Sequence, residues 1–220
     1  MVAWTIKSVK RSTKIKNKDF IFIILKSHDR KYGVKKRMLR IMPEARYLLI
    51  DHKTQGAAET ALMARPLVSE DEELIITDAD QYYVVSKFEK ARKMSLARNY
   101  IGIISTYLSV NPAYSYIKKD KNNFVTLTRE KELISNEAAI GMYYFTKSKY
   151  FMQGVKSMLK KKKLSKNEYY VCPVYNEVLT FGKVITVNAD FWMTMGSPDE
   201  VNRFYRQLQR PSKFLKQVQD

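Results

Sequence analysis

The spacing of apolar residues changes period along this chain. Val2, Ile6 and Val9 recur at helical intervals, so residues 2–10 read as a helix with no capping residue ahead of it. Phe20 to Leu25 is an unbroken apolar run of strand length, the pattern of a strand covered on both faces. Val34, Met38 and Ile41 return to the helical period and stop near Pro43. Tyr47 to Ile50 predicts a second strand, Gly56 to Arg65 a short Ala-rich helix ended by Pro66, and Leu74 to Ile76 a third strand. Strand and helix alternating with short joints predict right-handed parallel crossovers.

The middle is richer in strands. Tyr100 to Leu108, Tyr114 to Lys118, Phe124 to Arg129 and Ala139 to Phe145 are segments of β-formers, and Asp120 to Asn123 is a hairpin turn. A helix is expected over Ser148 to Leu159, with Phe151, Val155, Met158 and Leu159 on one face, and another over Glu168 to Leu179. Lys183 to Val187 closes the strands. In the last helix Ser197 caps, Pro198 takes the first position, Asp199 and Glu200 suit the positive end, and Val201, Phe204, Tyr205 and Leu208 line one face. With no internal repeat or low-complexity linker, residues 1–220 are expected to form a single domain.

Composition refines this reading. Apolar residues make up 45% and charged residues 28% of 220, as in a soluble globular protein. No run approaches the roughly 18 apolar residues of a membrane span, and no signal segment is evident, so a cytoplasmic location is expected. Cys172 is the single cysteine, which excludes an internal disulfide and a Cys-based zinc cluster. His28 and His52 lack partners at metal-ligand spacing. Tyr169, Tyr170 and Tyr175 read first as packing. The net charge is +18, and residues 1–40 hold 13 Lys/Arg against Asp19 and Asp29, with a second run at Lys160 to Lys163. Such a field attracts polyanions, whether nucleotides, nucleic acid or acidic membrane surfaces. The plainer reading is a solvated face, and no nucleic-acid reader motif accompanies it, so nucleic acid is not the expected partner.

In open α/β sheets ligands bind beyond the carboxyl ends of the parallel strands. Two loops fall there. Thr54-Gln55-Gly56-Ala57-Ala58-Glu59-Thr60 has the small residues that let a flat base or a phosphate approach the backbone, and its following helix is expected to point free N–H groups at an anion. Asp78-Ala79-Asp80-Gln81 offers two carboxylates for Mg²⁺, a hard cation that often bridges substrate phosphates. Alone, each loop is equally well a turn or a helix start.

Taken together and in order, the segments resemble the sugar-phosphate nucleotidyltransferases of glycosyltransferase-A-like fold, in particular the small members of surface-polysaccharide gene clusters. The matching pieces are the Thr54–Thr60 loop, Leu74 to Gln81, Tyr114 to Ile117, Glu130-Lys131, Ile140 to Phe145, Asn167 to Tyr170, Tyr175-Asn176, and Trp192 to Pro198. Each is short; their order over nearly the whole chain carries the likeness. The resemblance implies a three-layer α/β/α domain with a mostly parallel Rossmann-like sheet. It implies transfer of a nucleotidyl group from a nucleoside triphosphate to a phosphorylated sugar or other small acceptor, with Mg²⁺ and release of pyrophosphate. By position, Gln55, Gly56, Ala57, Ala58 and Glu59 correspond to the base-recognition loop and Asp80 to the metal-binding aspartate, with Asp78 beside the nucleotide. Glu130 and Lys131 correspond to the pair that reaches the phosphate-bearing acceptor, Gly141 to the glycine under it, and Asn167 and Glu168 to the acidic element of its pocket. Two departures stand out. The family opens with a strand and a Gly-rich phosphate loop, and this sequence starts at the helix after them. Where many members carry a second metal-binding aspartate, this chain has Thr194. The alternative is therefore an inactive nucleotidyltransferase-like domain that binds a ligand or partner.

Overall fold

A computed structural model describes residues 1–209. Helix α1 (Val2–Ser12) leads through a 3₁₀ turn to strand β1 (Ile21–Leu25). Helices α2 (Lys26–Tyr32) and α3 (Val34–Ile41) follow, joined at Gly33, whose φ of 60° closes α2. Next come β2 (Arg46–Ile50), the short α4 (Ala57–Leu62), β3 (Leu74–Thr77), β4 (Gln81–Val84) and α5 (Phe88–Ala97). The strands β5 (Gly102–Leu108), β6 (Ser115–Lys119), β7 (Val125–Glu130) and β8 (Glu137–Phe145) fill the middle. The helix α6 (Ser148–Lys160), strands β9 (Val184–Asn188) and β10 (Phe191–Thr194), and helix α7 (Pro198–Leu208) complete the described chain.

Strand β8 is the axis of the fold, and all nine of its residues are buried. On one side it pairs with β5, which pairs in parallel with β9; on the other side it meets both β3 and β6, and β7 extends β6. Its odd and even positions serve two cores. Ala139, Tyr143 and Phe145 face Phe151, Val155 and Met158 of α6, whereas Ile140, Met142 and Tyr144 face Phe88 and Ala91 of α5. This is the three-layer arrangement, with β8 inserted antiparallel among strands β3, β5 and β9 that share one direction.

Strands β1 and β2 pair in parallel as a separate ribbon. Their amino ends lie with the amino end of β3: Arg46 donates to the Leu67 carbonyl just upstream of β3, and the Lys14 amide donates to Glu89, whose neighbour Arg92 binds Glu73. No described strand pairs with the second edge of β1 or of β3. Between these edges runs a cavity of about 710 Å³, lined by Ile21 to Ile23 on one side and Leu74 to Thr77 on the other. Val2, Ile6 and Val9 of α1 roof it, and Ala57, Ala61 and Phe151 floor it.

One expected element needs correction. The helix expected over Glu168 to Leu179 is a 3₁₀ turn at Cys172–Glu177, because the backbone of Tyr169 is already paired to Gln55 and Ala58 and Pro173 cannot donate. Helix α2 carries no apolar period and escaped pattern reading, as did α5 and the short strands β4 and β10. Tyr175 is packing, stacked on Phe145 at 4.5 Å, and Cys172 is buried core.

Candidate active site

The site is built on an irregularity in β8. Ile104 of β5 pairs with Tyr143, but Thr106 pairs with Ala139, so β8 bulges across residues 140–142. Gly141 sits in that bulge at φ 71°, a region that costs side-chain-bearing residues energy. A Cβ on Gly141 would collide with Asp78 Oδ2 and Gln81 Nε2. The bulge lies where β3 ends and before β6 begins along one edge of β8, so the two strands part there. The Asp78 amide donates to the Gly141 carbonyl at 3.0 Å, which fixes the aspartate over the opening.

The charges of Asp80 and Glu130 both reach Asp78 there. Asp78 Oδ2 accepts from Gln81 Nε2 at 2.8 Å, and Gln81 Oε1 accepts from Trp192 Nε1 at 2.7 Å. Burial pushes the Asp78 carboxyl up to about 7, with the charges of Asp80 and Glu130 adding and Gln81 opposing. Burial also raises Asp80, aided by Glu200, and raises Glu130 against the hydrogen bond from Ser115. Desolvated acids that raise one another in this way are eased by a cation beside them.

Asp80 faces α7. Its carbonyl accepts from the Met195 amide at 2.6 Å, and Gly196 leaves room beside its carboxylate: a Cβ there would lie 2.9 Å from Asp80 Oδ2 and 3.5 Å from Glu200 Oε2. Glu200 is a site neighbour that sequence reading assigned only to the helix end. Thr194 donates to Glu200 Oε1 at 2.6 Å, and Glu200 Oε2 accepts from the Gly196 and Ser197 amides, which fixes this carboxylate beside Asp80. Among the described residues no three acidic, His or Cys side chains form a ready-made metal cage. Mg²⁺ takes one or two carboxylates and keeps its other positions for water and phosphate, so Asp80 is the residue here that could hold it.

Lys131, at φ 54°, donates to the Tyr170 hydroxyl at 2.6 Å and lies 4.7 Å from the centre of that ring. The Tyr170 bond, then the charges of Tyr170, Glu130 and Glu168, outweigh desolvation and raise its affinity for the proton. Glu168 therefore belongs to this group. Asn167 takes a left-handed conformation at the turn before it and is exposed, with no bond to the three carboxyls.

The Gln55–Glu59 loop is seamed to the same segment. The Tyr169 amide donates to the Gln55 carbonyl at 2.8 Å, and the Ala58 amide donates to the Tyr169 carbonyl at 2.9 Å. Gly56, at φ 142°, is required because a Cβ would fall 2.5 Å from the Tyr169 backbone. The expected free N–H groups at this helix start are partly spent: Ala58 serves Tyr169, and Glu59 reaches back to the Gln55 amide. Ala57 of this loop and Asp78 line the same cavity.

No family model and no curated protein sequence matches the chain. Solved structures do match. A nucleoside-diphosphate-sugar pyrophosphorylase from Vibrio cholerae RC9 is similar at a TM-score of 0.71 and 20% identity, over 86% of this chain and 80% of that one. A putative glucose-1-phosphate thymidylyltransferase from Bacillus anthracis, in complex with a sucrose, gives 0.71 and 16% over 96% and 83%. The inositol-1-phosphate CTP transferase of T. maritima gives 0.62 and 14% over 86% and 74%. The chain has the Rossmann-like fold of nucleotide-diphospho-sugar transferases.

Proposed function

We propose that this chain is a nucleotidyltransferase that joins a nucleoside triphosphate to a sugar phosphate or another small phosphorylated acceptor. An oxygen of the acceptor phosphate attacks the α-phosphorus, the bond from that phosphorus to the β-phosphate oxygen breaks, and pyrophosphate leaves. The observation that carries the reading is the cluster of desolvated carboxylates at the end of β3, set over the Gly141 bulge. Mg²⁺ would neutralise phosphate charge there, held by Asp80 with Glu200 beside it. Asp78, tied through Gln81 to Trp192, would orient the nucleotide, while the Gln55–Glu59 loop would meet the base. Lys131 offers an ammonium to the acceptor phosphate, with Tyr170 fixing its position and Glu130, Gly141, Asn167 and Glu168 around the acceptor. Positioning and charge stabilisation account for catalysis of this type.

Pyrophosphate release, assayed across the four nucleoside triphosphates with a panel of sugar phosphates, tests the reading. Asp80→Ala is expected to abolish release while the far-ultraviolet circular dichroism and the melting temperature stay at wild-type values. Full activity in that variant would overturn the assignment. Nucleotide binding without release by the unaltered protein would instead support the binding-only alternative.

A further inference from the structure

We propose that the elbow formed by α2 and α3 is a docking surface for an anionic lipid membrane. Arg30, Lys31, Lys35, Lys36, Arg37 and Arg40 all lie on these two short helices, and no described carboxylate pairs with any of them. The one acid within the elbow, Asp29, is occupied in capping α3 by accepting from the Lys35 amide at 2.7 Å. Lys26, at the start of α2, pairs with Asp51, whose charge also reaches Arg30, so the elbow's net charge rests on Lys31, Lys35, Lys36, Arg37 and Arg40.

Charge alone describes a solvated face. What distinguishes the elbow is apolar surface among its cations: Tyr32 is 52% exposed, Leu39 39% and Ile41 47%. The inner face of α3 is already spent, because Val34 and Met38 pack with Ile6 and Met42. Leu39 instead shares a cleft of about 510 Å³ between the helices with Lys35, Lys36 and Arg40. Cations around exposed aliphatic side chains match the boundary between lipid headgroups and acyl chains, where the charge meets phosphate and the apolar groups leave water. Phosphodiester backbones of nucleic acid satisfy the cations but give Leu39 and Ile41 no apolar environment. Each cation near an anionic bilayer contributes about 1 kcal/mol, or roughly fivefold in affinity. Five of the six are exposed and Lys35 is half-buried, so a modest membrane affinity follows from this surface without any contribution from the acidic site.

Co-sedimentation with vesicles of phosphatidylcholine, with and without phosphatidylglycerol, tests the inference on the full chain. Binding is expected only with the anionic lipid and is expected to weaken as salt rises. Lys36→Glu combined with Arg40→Glu should lower affinity at least ~25-fold, since two cations at roughly fivefold each are lost. Leu39→Ser combined with Ile41→Ser should lower it severalfold with charge unchanged; both residues are exposed, and an unaltered melting temperature verifies the fold. Absence of binding to anionic vesicles, or wild-type binding by the charge variant, overturns the proposal. It is equally overturned if the serine variant binds like wild type and short duplex DNA strips the protein from vesicles, because the surface then reads phosphate alone.

Discussion

Single residues set the geometry of the site through backbone demands. Gly141 supplies a left-handed conformation in the middle of a fully buried strand, and its missing Cβ is the space that Asp78 and Gln81 occupy. Gly141→Ala is expected to cost about 2–3 kcal/mol in a urea titration, from a strained φ together with displacement of two hydrogen-bonded groups. A wild-type midpoint would show that the bulge relaxes freely. Glu177 illustrates charge at the same scale. Burial alone would raise its carboxyl, but bonds from Lys161, Lys163 and Ser157 more than reverse this and hold it at about 2. Its ordinary value in an unfolded chain is ~4.3, so its contribution is complete above that pH and disappears as pH falls from there towards 2. The stability gap between wild type and Glu177→Gln should therefore be constant near neutrality and close through that acid window. A gap that persists at pH 2 would contradict it. The two lysines are half exposed, so solvent screens part of the effect.

At the level of elements, the best-read helix is also the one that touches the chemistry. Ser197 Oγ accepts from the Glu200 amide at 3.3 Å, and Glu200 Oε2 accepts from the Ser197 amide at 3.1 Å, a reciprocal cap legible from Ser-Pro-Asp-Glu alone. Its second consequence was not legible: the cap holds Glu200 beside Asp80. Ser197→Ala should lower stability by about 1 kcal/mol in thermal denaturation, and unchanged stability would mean that α7 is held by Phe204 and its neighbours alone. The segment after α6 shows the opposite case. Tyr169 to Leu179 has residues compatible with a helix, yet pairing of Tyr169 with the Gln55–Ala58 loop takes the hydrogen bonds that a helix would need. Local propensity lost to a partner more than a hundred residues away. Helix α2 was invisible for a different reason: Lys-Ser-His-Asp-Arg-Lys-Tyr has no apolar face to give it a period.

For the molecule as a whole, the cavity between the second edges of β1 and β3 makes stability uneven. Successive amides in a strand point to opposite edges, so alternate N–H groups of β1 and β3 face the cavity without a described strand partner. Hydrogen exchange is expected to show an alternating pattern along Ile21–Leu25 and Leu74–Thr77, against continuous protection along β5 and β8. Uniform protection on β1 would show that its second edge is paired in solution. Because Ala57 and Asp78 both border this cavity, whatever occupies it bears directly on how rigidly the site is held.

The sequence by itself determined the elements whose cause is local: the apolar runs that became β1 and β2, the single-face period of α6, and the cap of α7. It also placed Asp78 and Asp80 at a strand's carboxyl end, since a run of apolar residues ending in acids reads the same in isolation as in the fold. The tertiary structure alone decided what those acids touch. Gly141 lies 63 residues beyond Asp78 and Trp192 111 residues beyond Gln81, and neither contact leaves a trace in composition or period. Side-chain desolvation arises the same way, from layers that meet only after the chain has crossed the sheet. Periodicity records which face of an element is covered; only packing brings distant side chains into one site.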